Sequence, residues 1–319
     1  MPMFREPPFR PFHPFMKILA LVMVMIITFL VVLAVGVGFS IPFFGMDLLE
    51  GAAVLTDYSN PRTVELLKYL QVVNQFGVFI LPAILFVVLT DDNFPGYLNL
   101  NNGFRRFSLF FGIILLVVSM PFIGWLLELN SGIHLPAALS RVEDWMRASE
   151  DTAERLTEAF LSTASWKGFF FNLTMIAVFA AIGEELIFRG ILVRLFNEWT
   201  GNIHLAVLIP ALLFSALHLQ FYGFFGRLVL GIILGYLFVW SGSLWVPIIV
   251  HFINNAMAVV VSFMDQRGII TADLKTFGTS QNNGVIVGSF LLMVFTMTMI
   301  YLHEKGYFRR LIKKGPDQP

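Results

Sequence analysis

Cysteine is absent from all 319 residues of the chain. This absence excludes disulfides, thiolate metal sites and cysteine nucleophiles. Charge is scarce as well: charged residues make up 13% of the chain, where a soluble domain carries about 25%. The few basic residues lie at the ends of apolar stretches, so nothing in the sequence indicates a nucleic-acid partner. The composition is that of neither a disulfide-stabilised secreted domain nor a soluble globular one.

Long apolar stretches are what the sequence has in abundance. Hydrophobic residues make up 57% of the chain, phenylalanine occurs 35 times, and the mean hydropathy is +0.77. A helix of about 20 apolar residues crosses the roughly 30 Å hydrocarbon core of a bilayer. The sequence therefore predicts an all-α, polytopic membrane bundle of about eight transmembrane helices. The predicted spans are 18–39, 71–90, 107–127, 169–188, 204–219, 228–240, 245–264 and 285–302.

Basic residues flank the first and last predicted spans. Because the positive-inside rule assigns such loops to the cytoplasm, and eight spans place both ends on one side, both termini are predicted to be cytoplasmic. The first apolar run exceeds the roughly 7–15-residue core of a signal peptide and is predicted to be retained. We expect an integral protein of a bacterial plasma membrane. The flanking basic residues are Arg5, Arg10, Lys17, Lys305, Arg309, Arg310, Lys313 and Lys314.

Four regions follow from this pattern. Residues 1–16 are predicted to be a disordered cytoplasmic tail, and 17–165 to hold accessory transmembrane helices and an acid-rich outer-face segment. Residues 166–265 carry the polar motifs, and 266–319 contain the last transmembrane helix and a basic cytoplasmic tail. Two stretches with helical periodicity and mixed polarity, 60–70 and 136–162, resemble amphipathic helices on the outer face or at the interface, and solvated connecting helices are the preferred interpretation.

The first polar motif lies within an apolar run and contains Glu184, Glu185 and Arg189. Ionisable residues inside a membrane are costly and usually mark function. Residues four apart share a helix face, so Glu185 is expected to pair with Arg189, whereas adjacent residues diverge by about 100°. Glu184 is thereby left free to meet other helices and is the candidate catalytic carboxylate.

Two further motifs each carry a histidine. Phe214 lies one turn before His218, so its ring is expected to pack beside the imidazole, and His251 lies one turn before Asn255. A turn at 201–202 would bring Glu184 and Glu185 level with His218 on antiparallel helices. His251 reaches the same level only if the helix after residue 189 projects out of the bilayer. These side chains together indicate a hydrolytic site within the membrane.

The three motifs resemble those of the CPBP family, the CAAX-processing and bacteriocin-processing intramembrane proteases. The family motifs EExxxR, FxxxH and HxxxN match Glu184-Glu185 with Arg189, Phe214 with His218, and His251 with Asn255. The resemblance covers roughly residues 169–264. It implies an all-helical core that hydrolyses peptide bonds of a peptide or membrane-protein substrate.

By motif match, Glu184 and His218 would activate water, and His251 and Asn255 would stabilise the oxyanion. Glu185, Arg189 and Phe214 would support them. A zinc mechanism, in which Glu184, His218 and His251 become metal ligands, uses the same side chains. The metal-free mechanism is preferred, because Glu185 is committed to Arg189 and cannot replace Glu184 as the base. No cofactor is favoured.

Two non-hydrolytic interpretations also fit a membrane bundle with buried polar groups. The first is a non-catalytic scaffold or regulator of a membrane signalling partner, bound through the acid-rich outer segment. Loss of a motif residue would favour it, and all are present. The second is a proton-coupled transporter, but the polar residues cluster instead of forming a path across the bilayer.

Overall fold

The structure is a computed structural model that describes residues 6–44, 54–271 and 277–305. Every regular element among them is helical, which confirms the all-α class. We number the principal helices in chain order. They are α1 (Pro14–Phe44), α2 (Pro61–Thr90), α3 (Arg106–Ser131), α4 (Ser140–Leu161), α5 (166–200), α6 (Ile203–Ala216), α7 (Phe224–Ser241), α8 (Trp245–Gln266) and α9 (Asn283–Glu304).

Six segments of the described chain are long and apolar enough to cross a membrane. They are α1, α2, α3, α7 with the 3₁₀ turn that precedes it, α8 and α9. Helix α6 is apolar but has only 14 residues, and α5 alternates between α and π geometry. The described residues thus confirm a polytopic helical protein, while the count of eight spans remains a prediction.

Helix α2 corrects one expectation. Residues 60–70 were predicted to form a separate helix, yet they continue without a break into the following span. Asn60 caps the helix by accepting a hydrogen bond from the Arg62 amide, as its sequence indicated. Residues 62–76 contain no proline or glycine that would break the helix, and Tyr69 donates a hydrogen bond to the Gly36 carbonyl of α1 at 2.9 Å. Packing against α1 therefore extends the membrane helix to Pro61.

The described part of the N-terminal tail is also ordered, contrary to expectation. The Phe9 amide donates to the Leu89 carbonyl at 2.8 Å, and the Phe9 ring lies 6.2 Å from that of Phe86. Arg10 approaches Asp92 at 3.6 Å. Residues 6–13 thus dock against the end of α2. The basic residues expected at the extreme ends, Arg5, Arg309, Arg310, Lys313 and Lys314, lie outside the described residues.

Helix α5 carries the first motif through the centre of the bundle. It is α-helical at Trp166–Asn172, Ala180–Glu185 and Arg194–Thr200, with π-helical turns at Leu173–Phe179 and Leu186–Val193. The motif therefore straddles the junction between an α segment and a π segment. Such π turns shift the register of side chains along a helix and often occur at functional sites.

Helices α6 and α8 place their histidines level with this motif. The Phe188 ring of α5 lies 5.3 Å from that of Phe214 on α6, which fits the antiparallel pairing expected around residues 201–202. A Cβ atom at Gly190 would lie 3.4 Å from the side chain of Leu244, just before α8. The beginning of α8 is therefore level with Gly190, and residues 191–200 continue past it. This arrangement brings His251 to the motif, as the sequence required.

Candidate active site

Glu185 is the centre of a buried charged cluster. Its Oε1 accepts a hydrogen bond from Nη1 of Arg189 at 2.5 Å and another from Nδ1 of His251 at 2.8 Å. Glu185, Arg189 and His251 are each no more than 2% exposed. Arg189 Nη2 also donates to the Gly231 carbonyl of α7 at 3.1 Å. The expected pair of Glu185 and Arg189 is thus present, and it joins α5, α7 and α8.

Glu184 has a different environment from its neighbour. It is 7% exposed, and its Oε2 lies 3.8 Å from Nε2 of His251, beyond hydrogen-bonding distance. Among the described residues we find no hydrogen bond to its carboxylate. A buried carboxylate is normally hydrogen-bonded, so one that is not has capacity left for water or a substrate.

Phe214 links the second motif to the other two. Its ring centroid lies 5.0 Å from the His218 ring, 5.9 Å from the His251 ring and 4.9 Å from the Arg189 guanidinium. The predicted packing of Phe214 on His218 is thus present.

His218 lies outside the helix on which it was expected. Helix α6 ends at Ala216, and His218 occupies the turn that follows, with its side chain exposed. Its Nδ1 donates to the Phe214 carbonyl at 2.7 Å. In the neutral ring this bond leaves the Nε2 lone pair to accept a proton or a hydrogen bond. Electrostatic interactions also connect His218 with Glu184 and His251.

Asn255 is partly buried on α8, one turn after His251. Its Nδ2 donates to the Ile176 carbonyl of α5 at 3.2 Å, and its Oδ1 accepts from Asn254 at 3.1 Å. The Ile176 carbonyl lies in a π-helical turn, where the backbone leaves regular hydrogen bonding. The amide of Asn255 retains a second N–H that these contacts do not use.

The expected metal ligands do not form a metal-like cluster. Within residues 6–44, 54–271 and 277–305, no group of three His, Asp or Glu side chains has the spacing of a metal site. His251 uses Nδ1 to contact Glu185, which leaves only Nε2, and this atom faces Glu184. In this arrangement Glu184, His218 and His251 do not have the spacing of a catalytic zinc site, and the zinc mechanism stays an untested alternative.

Two features of the site escaped sequence analysis. Side chains of α3, α4 and α7 hold the backbone that follows His218, and no local pattern connects such distant residues. Gln75 on α2 is 4% exposed, and its Oε1 has no hydrogen-bond partner. It packs near Gly183, beside the first motif. A buried polar residue in an apolar run was the one signal that could have identified Gln75.

Comparison with known proteins was informative for the motif-bearing region. Residues 166–257 match a family model described as type II CAAX prenyl endopeptidase Rce1-like. The uncharacterized protein YpbD of Bacillus subtilis (strain 168) is 33% identical over 90 residues, which cover 27% of this chain and 43% of that protein. No solved structure matches the chain. Residues 166–257 are therefore similar to the CAAX-processing family of intramembrane proteases that the three motifs indicated.

Proposed function

We propose that the chain is an intramembrane endopeptidase that hydrolyses a peptide bond with water activated by Glu184 and His218. The observation that carries the proposal is the contrast between the two adjacent glutamates. Glu185 accepts hydrogen bonds from both Arg189 and His251, whereas the neighbouring buried Glu184 has no hydrogen bond among the described residues. A carboxylate without a partner in a protein interior is costly, and catalysis gives a reason to keep it.

Glu184 acts as the general base. It removes a proton from a water molecule while the water oxygen forms a bond to the carbonyl carbon of the substrate. The π electrons of the carbonyl move onto its oxygen and produce a tetrahedral oxyanion. Nε2 of His218 accepts a hydrogen bond from the same water, since its Nδ1–H is held by the Phe214 carbonyl. A general base of this kind contributes about 10²–10⁴ in rate.

His251 and Asn255 stabilise the oxyanion. In the imidazolium form of His251, Nδ1–H donates to the Glu185 carboxylate and Nε2–H donates to the negative oxygen. Asn255 contributes its unused N–H while the Ile176 carbonyl holds the amide in place. When the intermediate collapses, the C–N bond breaks, and the proton on Glu184 passes to the leaving amine directly or through His218.

The substrate is a peptide or membrane-protein segment that reaches the site from the bilayer. The apolar surface of the described helices supports this proposal: large side chains on α1 and α9, such as Leu30 and Phe295, are about 60% exposed. Such a surface requires a lipid environment. We place the protein in the bacterial plasma membrane with both termini in the cytoplasm, as the distribution of basic residues indicates.

The test is cleavage of a quenched peptide library by the purified protein in lipid nanodiscs. Wild type is compared with Glu184→Gln and His218→Ala, and Glu198→Gln is the matched control, because Glu198 is an exposed carboxylate on the same helix. We expect at least a hundredfold loss of rate for the two site variants and none for the control. Full activity in Glu184→Gln would disprove the assignment of the base.

A further inference from the structure

The backbone immediately after His218 leaves the helix in an unusual conformation. Leu219 has a φ of 53°, in the left-handed region that residues other than glycine rarely adopt. Within a membrane protein, backbone that is not helical must find its hydrogen bonds elsewhere. The backbone N–H and C=O groups of residues 219–222 therefore need hydrogen-bond partners outside a regular helix.

Four consecutive residues of this segment are held by side chains from other helices. The Leu219 carbonyl accepts from Ser149 Oγ at 2.9 Å, the Gln220 carbonyl from Arg227, and the Phe221 carbonyl from Asn130 at 2.5 Å. The Tyr222 amide donates to Glu150 Oε2 at 3.0 Å. The four supporting side chains are Ser149 and Glu150 of α4, Asn130 of α3 and Arg227 of α7.

Additional contacts bring residues 145–150 of α4 against the same segment. The Trp145 ring lies 5.1 Å from that of Phe221, and the Arg147 guanidinium lies 4.7 Å from the Tyr222 ring. Glu150 also interacts electrostatically with Arg227. Helix α4 lies outside the family-matched residues, so a part of the chain that lacks the motifs reaches the segment next to the motif histidine.

We infer that Ser149 and Glu150 are positioning residues for His218. Ser149 fixes the Leu219 carbonyl, and Glu150 fixes the Tyr222 amide. These two backbone groups fix the turn from which the His218 imidazole projects. The Phe214 carbonyl sets the ring tautomer, and the α4 contacts set where the ring lies. The inference rests on the proposed function of His218, but the hydrogen bonds from α4 can be tested without any catalysis.

The test combines kinetics with hydrogen exchange on the full chain in nanodiscs. The variants are Ser149→Ala, Glu150→Ala and the double variant, with Ser149→Thr as a rescue that keeps the hydroxyl. Thr157→Ala and Asp144→Ala are matched controls. Among the described residues, Thr157 bonds only within α4, to the Ala153 carbonyl, and Asp144 is an exposed carboxylate on the same helix.

We expect kcat to fall roughly 5-fold in each single variant and about 25-fold in the double variant, with KM within about twofold of wild type. Ser149→Thr should recover most of the activity, and the controls should match wild type. Amide exchange at residues 217–224 should accelerate in the variants, with exchange in α5 and α8 unchanged. A merely structural role would not produce this selective change in kcat.

Two results would overturn the inference. Unchanged exchange at 217–224 in the double variant would show that α4 does not hold the segment. Faster exchange with an unchanged kcat would show that the segment does not position His218. If wild type cleaves no peptide, the proposed function fails, while the exchange data still decide whether α4 holds the segment. If the double variant unfolds, the two single variants supply the same comparison.

Discussion

The Nδ1 atom of His251 lies 2.8 Å from Oε1 of Glu185, and the same oxygen accepts a hydrogen bond from Arg189. One buried carboxylate oxygen therefore contacts Arg189, near the start of the motif region, and His251, near its end. This relationship gives Glu185 a structural contact with both side chains, and under the proposed function it leaves Glu184 for the chemistry. The free energy of unfolding is therefore expected to depend on the buried pair of Glu185 and Arg189.

Removing one partner of that pair should destabilise the protein more than removing both. We expect Arg189→Met to lower the free energy of unfolding by about 3–5 kcal/mol, because Glu185 is left as a poorly compensated buried charge. The double variant Glu185→Leu, Arg189→Met should recover part of this loss. Reversible unfolding in mixed micelles measures both. Equal destabilisation by the single and double variants would contradict a buried pair that compensates its own charges.

Peptide cleavage should persist when metal ions are removed. Because Glu184 and His218 are proposed to activate the water themselves, dialysis against a chelator is expected to leave the rate within about twofold. The rate and the bound metal, determined by elemental mass spectrometry, are measured on the same sample. Activity that disappears with the metal and returns with zinc would instead make Glu184, His218 and His251 ligands.

The stabilisation that Glu143 gives to the beginning of α4 should be lost at low pH. Hydrogen bonds from Arg147, the Leu135 amide and His134 lower the pKa of Glu143 from its usual 4.5 to about 2. A carboxylate with a lowered pKa in the folded state stabilises that state above pH 4.5, and this contribution disappears as the pH falls towards 2. We therefore expect the difference in melting temperature between wild type and Glu143→Gln to be constant above pH 4.5 and to shrink below it. A difference independent of pH down to 2.5 would contradict the shift.

The absence of cysteine allows the orientation in the membrane to be measured directly. Arg10 and Asp92 approach each other at 3.6 Å and therefore lie on the same side of the membrane. The single variants Arg10→Cys and Asp92→Cys should be protected from an impermeant maleimide in intact cells. The variant Asp151→Cys, at an exposed position of α4, should react with the same maleimide in intact cells. All three should react after the cells are opened. Labelling of the first two in intact cells would reverse the predicted topology.

Much of the fold could be predicted because membrane helices obey local rules. The apolar runs predicted helices close to those observed, such as 245–264 for α8, which extends from Trp245 to Gln266. The pairing of Glu185 with Arg189 followed from a spacing of four residues on one helix. The break between 70 and 71 was wrong, since the chain contains no helix breaker there and contacts with α1 extend the helix.

The candidate site shows where local rules end. The sequence by itself determined the membrane class, the three motifs and the separation of Glu184 from Glu185, because each depends on composition or on helical periodicity. Only the tertiary structure decided that His251 shares the oxygen of Glu185, that His218 lies beyond the end of α6, and that α4 holds the segment after it. The first and the last of these relationships join residues 66 and 70 positions apart, and their geometry depends on helix packing, which no short stretch of sequence encodes.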